Sequence, residues 1–231
     1  MAEEDLLPFL GSLQLTDSAF PSGLYTLSHG LEAYAQTGEL QPEGLKALIT
    51  DLLRFGIGPA DGVALVNAHR AVTDSEPERA AEADLRLAAT KLNREARSAS
   101  LRTGKQLLKL ASSLFDHPLL VNHTARVNRG ALPGNHAVAL GLTKAALGIS
   151  REHSLAAELY AFCMGCASAA IRLTLIDHRS AQALLHLLKP VITETVCENI
   201  NKDVREIASC LPLADVMAMQ HERADVRLFM S

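Results

Sequence analysis

Apolar residues recur along most of the chain at spacings of three and four, the pattern of helices that bury one face, and alternating strand patterns are almost absent. The first irregular stretch is LQLTDSAFPSGLYTLSHGLE, residues 13–32. Pro21 fixes its own φ and disfavours helix at Phe20, so an initial helix should stop near Ser18 and a second restart behind Ser22. After Pro42, which suits a first helical turn, Leu45, Leu48, Ile49, Leu52 and Leu53 form one stripe, with a break expected from Gly56 to Pro59. A short helix is expected from Ala60 to Val72. The string TDSEPE, residues 73–78, reads as a connector, and a helical stretch runs from Glu78 to Phe115 with an interruption near Asn93 or Gly104. His117 and Pro118 end it. A helix over Leu119–Asn128, the loop RGALPGN at 129–135 and a small-residue helix over His136–Leu147 come next. Ser150 is placed to cap a long helix whose stripe is Leu155, Leu159, Phe162, Cys166, Ala170 and Leu173, and Ser180 to begin the last long one. With no internal repeat, the pattern predicts an all-α, single-domain multi-helix bundle over residues 1–231.

Composition narrows the class. The 231 residues are 48% hydrophobic with a formal net charge of -4, enough to bury a core and without the excess of positive charge that marks nucleic-acid binding. No apolar run is expected to approach the roughly 20 residues of a bilayer crossing, and the start MAEEDLL lacks the basic region of a signal peptide, so a soluble, cytoplasmic protein is expected. The four cysteines, Cys163, Cys166, Cys197 and Cys210, are too few for a disulfide framework and are expected to be reduced.

Charge is unevenly spread. Residues 1–85 hold 14 Asp or Glu against 4 Lys or Arg, whereas residues 86–109 hold 7 Lys or Arg against Glu95 alone. Solvated helix faces explain this, as does a complementary surface for a charged partner or a second copy. Enzyme motifs fail. RTGKQ at 102–106 has Ala99 and Gln106 where a phosphate-binding loop needs Gly and Ser or Thr, and Asp225 stands where a metalloprotease helix beginning at His221 and Glu222 needs its second His. Cys163 and Cys166 have metal-ligand spacing, but no second pair exists and both lie along the apolar stripe, so core thiols are expected.

The stretch at 13–32 resembles the opening of the urease accessory protein UreF family: an apolar-Gln-apolar run, a Ser-x-x-Pro-x-Gly turn and a Ser-x-Gly-Leu-Glu close. REARSASLRTGKQLL at 94–108, NHAVALGLTKAALGI at 135–149, AAIRLTL at 169–175 and the ending HERADVRLFMS at 221–231 resemble further family segments in the same order. Two departures are Leu24, where the family has glycine, and Ile176-Asp177, where it has Leu-Gly.

The resemblance implies a dimeric, non-catalytic adaptor that bridges a UreD/UreH-type accessory protein and the nickel-carrying UreG-type GTPase, so that nickel reaches apo-urease. It implies no tightly bound cofactor, nickel being handled indirectly; the charge and the apolar pattern above point to neither nucleic acid nor membrane as a partner. The competing reading is a protein that itself carries nickel through Cys163 and Cys166 or through histidines. Partner-binding residues are expected in the opening turn at Tyr25, Ser28 and Glu32, on the long helix at Arg172, whose neighbours Ile171 and Leu173 are apolar, and in the tail at His221, Glu222, Arg227, Leu228 and Phe229. The tail, residues 211–231, begins at a helix-breaking Pro212 and offers apolar anchors with few sequence neighbours to cover them. It is expected to be poorly held in the isolated protein and ordered by the UreD-type partner.

Overall fold

In the computed structural model, which describes residues 3–16, 28, 30–222 and 228–229, every regular element is helical and no strand occurs among those residues. The α-helices in chain order are α1 (Glu3–Thr16), α2 (Leu31–Gln36), α3 (Leu45–Leu52), α4 (Val63–Thr73), α5 (Pro77–Thr90), α6 (Arg94–Leu114), α7 (Pro118–Asn128), α8 (His136–Ala146), α9 (Arg151–Arg172), α10 (His178–Asn199) and α11 (Pro212–His221). The helix expected behind Ser22 falls largely outside the described residues, which resume at Ser28 ahead of α2.

The centre of the bundle is the crossing of α4 and α8, both buried along nearly their whole lengths. Small residues make the crossing close: a Cβ on Gly141 would lie 2.3 Å from the Leu65 carbonyl oxygen. Around this pair sit α5 and α6 on one side and the antiparallel α9 and α10 on the other, and their apolar stripes merge into one contiguous core. The interruption expected near Asn93 or Gly104 falls at Lys91–Asn93, where the Asn93 side chain accepts the Ala96 N–H at 2.7 Å and caps α6. Gly104 instead lies inside α6, pressed on the 134–136 backbone. An added Cβ would sit 2.2 Å from the Gly134 oxygen, against main chain that cannot rotate away. Gly104→Ala should therefore cost about 2 kcal/mol or more, a fall of about 5 °C or more in a thermal melt. Gly44→Ala, whose Cβ meets nothing within 4 Å, should leave the melt unchanged.

One loop is pinned by a buried carboxylate. Asp84 of α5, fully buried, accepts the N–H groups of Gly134 and Asn135 at 2.8 Å each and the Asn135 side-chain amide at 2.7 Å. Asn135 in turn accepts from the Ser100 hydroxyl of α6 at 3.1 Å. His123 Nε2 of α7 lies 3.4 Å from Asp84. Burial pushes the Asp84 carboxyl upward, but His123 and the Asn135 and Gly134 donors outweigh it and hold the group below the ordinary carboxylate range.

Three expectations need correction. The break expected from Gly56 to Pro59 is absent: α3 passes through a π-helical segment, Leu53–Gly62, directly into α4. Pro59 has no N–H to give the Phe55 carbonyl one α-turn back, and the extended chain at 208–210 takes over, with Cys210 N–H on Phe55 O at 2.9 Å and Ala208 N–H on Pro59 O at 3.2 Å. The last long helix starts at His178 rather than Ser180. Its cap is Asp177, one of the two departures from the family pattern, and Ser180 is the donor to that cap at 2.7 Å. Finally, α9 is long and apolar enough to cross a bilayer, with a mean hydropathy of 1.4 over its best window; half of that window is buried inside the bundle.

Cys163 and Cys166 lie in the core of α9 as expected. Burial pushes the Cys163 thiol up to about 12 and Cys166 well above its usual value, away from the thiolate that a metal ion requires.

Candidate functional site

Residues singled out separately at the two ends of the chain and on α9 meet in one place. The short α2 starts from a turn in which the Ser28 carbonyl accepts the Leu31 N–H at 3.1 Å, and it carries Glu32 inward, 1% exposed. Glu32 Oε1 accepts the backbone N–H of Leu228 at 2.7 Å and the Gln36 amide at 3.3 Å; Oε2 accepts the Phe229 N–H at 3.0 Å and faces His221 Nε2 at 2.9 Å. The other ring nitrogen of His221, Nδ1, lies 2.7 Å from Glu95 Oε2 near the start of α6. Glu222 then accepts the N–H groups of Arg94 and Glu95 at 2.8 and 3.3 Å, so a tail carboxylate occupies the positive end of α6. Arg172 at the end of α9 holds its guanidinium 4.1 Å from the centre of the Phe229 ring.

Every member of this set thus fixes the C-terminal segment against the bundle. Ser28 is buried beside Glu32 in sequence, Phe229 is buried, and Leu228 is 72% exposed. Tyr25 and Arg227, also expected at the site, lie outside the described residues. The imidazole of His221 is 2% exposed. Burial alone would lower its pKa, yet hydrogen bonding to Glu95 and Glu32 outweighs that and raises it.

Sequence reasoning missed Glu95. Its signal was present, since it is the one acid among seven cations over residues 86–109, and a lone acid amid cations is explained once His221 is seen to need it. Also missed was a cavity of about 150 Å³ next to the clamp, between α2, the π-helical segment, the α5–α6 junction and α11. Tyr34, Phe162 and Leu211 supply apolar wall, and Lys91 is paired across it with both Asp61 oxygens at 2.8 and 2.9 Å. Among the described residues no three His, Cys, Asp or Glu side chains are arranged to hold a metal ion. Both nitrogens of His221 are turned to carboxylates instead.

Comparison with known proteins gives the same family as the motifs. Residues 40–189 match the UreF family model. The chain belongs to the UreF family. It is 32% identical over 235 residues to a urease accessory protein UreF of Trichodesmium erythraeum, covering 99% of each chain. It is 32% identical over 219 residues to one of Yersinia pseudotuberculosis (94% and 95% of the two chains), and 30% identical over 223 residues to one of a Bacillus strain (96% and 98%). Of the clamp residues, Glu95 and Arg172 lie inside the span matched by the UreF model, and Glu32, His221 and the tail lie outside it.

Proposed function

We propose that the chain is a non-catalytic adaptor of urease maturation, acting as a cytoplasmic homodimer that links a UreD/UreH-type accessory protein to a UreG-type GTPase for nickel delivery to apo-urease. The observation that carries this reading is the tail. A buried, fully hydrogen-bonded anchor fixes α11 in one pose, yet the helix turns Leu213, Val216 and Met219 outward, 60%, 49% and 43% exposed, with Leu228 beyond them. Apolar residues at helical spacing on a held helix are what a partner's groove takes up. In this reading the tail is anchored through Glu32 before the UreD-type partner arrives, in place of the expected tail that the partner has to order.

Against the cysteine form of the carrier alternative stands the core position of the Cys163 and Cys166 thiols, whose pKa burial raises; nickel titration of the purified protein tests that form and the histidine form together. The test is co-purification. Val216→Asp with Met219→Asp should abolish capture of the UreD/UreH-type protein, and because both side chains are about half exposed the melting temperature should hardly move. Undiminished capture by a folded variant would refute the role given to α11.

A further inference from the structure

We infer that His221 is a proton-operated latch: with both ring nitrogens protonated it clamps α11 between α2 and α6, and on losing one proton it releases α11 and opens the cavity that α11 walls. The proposal rests on two carboxylates facing one ring. A neutral imidazole has one N–H, and here carboxylate oxygens stand 2.7 and 2.9 Å from the two nitrogens. Only the imidazolium can donate to both; removal of either proton leaves a nitrogen lone pair facing a carboxylate oxygen at hydrogen-bond distance.

Besides the latch, α11 is held by Glu222 at its C-cap on the Arg94 and Glu95 N–H groups, by buried Met217 with Leu211 and Ala214 packed on the core, and by the Asn93 amide 3.5 Å from Asp215. Of these contacts His221 is the one that titrates across neutral pH. The groups around the ring are known from each neighbouring element. Glu32 with Tyr34 comes from α2, Glu95 with Arg94 from α6, and Asp215 and Glu222 from α11 or its cap. Lys91 paired with Asp61 lies across the cavity, and Arg172 of α9 lies behind Phe229. Carboxylates are the nearest charged groups, and the cations Lys91, Arg94 and Arg172 have acidic or aromatic neighbours of their own.

The direction follows. The raised imidazole pKa means that docking is fully favoured below about 6.5, the ordinary imidazole value, and weakens as pH rises through the raised one. Once α11 lifts, the partly open cavity loses Leu211, Ala214, Ala218 and His221 from its wall and widens to solvent. This holds whichever protein binds the outer face of α11, so it stands apart from the adaptor reading.

The experiment is hydrogen exchange on the full chain between pH 6 and pH 9, corrected for intrinsic rates, with the amides of α4 and α8 as internal reference. Protection over residues 214–221 should fall with a one-proton dependence, up to about tenfold per pH unit, while the reference amides hold. Glu95→Gln keeps an acceptor but removes its charge, and should move the midpoint to lower pH. An NMR titration of the His221 ring in the unmodified protein should give the same midpoint as the exchange. Protection of α11 that is flat across the range, a midpoint unmoved in E95Q, or a ring that titrates elsewhere would each overturn the latch.

Discussion

Asp84→Ala should be the most damaging single change in the protein, lowering stability by about 4 kcal/mol, a fall of about 10 °C in the melting temperature. The size follows from what is left behind. The Gly134 and Asn135 N–H groups lose their acceptor in a buried region, the Asn135 amide keeps only the residue-84 carbonyl at 3.0 Å, and unpaired buried donors cost about 1–3 kcal/mol each before relaxation. Asp84→Asn should rescue little, because its amide would turn donors toward donors. Acid should imitate the mutation: the native carboxyl is held below its ordinary range, so its contribution is complete above about pH 4 and is lost as pH falls through the depressed native value. A melt at neutral pH within 2 °C of the parent would show that the 134–135 loop does not depend on this carboxylate.

Glu32→Ala should have the largest effect on function with a modest effect on the melt. It removes the acceptor for Leu228 N–H, Phe229 N–H and His221 together, so the tail and α11 lose their common anchor while the α4–α8 core is untouched. Losing about 2 kcal/mol of local stability corresponds to roughly 30-fold faster exchange over α11, and capture of the UreD/UreH-type protein should fall with it. Arg172→Ala removes one cation–π contact of about 1 kcal/mol and should act in the same direction more weakly. If the α11 amides exchange in the Glu32→Ala variant as they do in the parent, the clamp is not what holds the tail.

Helix periodicity carried most of the fold, because nearly every helix buries one face and the core is their sum. Connections that depend on distant chain were not legible. Proline in the 56–59 stretch looked like a stop under local rules, and the donors that rescue its carbonyls come from residues 208 and 210. Asp84 in a polar helix pattern is indistinguishable from a solvated acid until the 134–135 loop folds over it. At the site, Glu32, Arg172, His221, Glu222, Leu228 and Phe229 were recognisable through family motifs, but a motif does not say which way a side chain faces. Glu32 and His221 face inward and find each other.

The clamp joins residue 32 to residues 221, 228 and 229, so its contacts span 189 to 197 positions of a 231-residue chain. Closing loops of that length costs more chain entropy than forming any local helix contact, so the clamp should be among the last contacts to form on refolding. The α4–α8 crossing joins residues much closer in sequence, so the core should assemble first and α11 should reach its anchored pose afterwards.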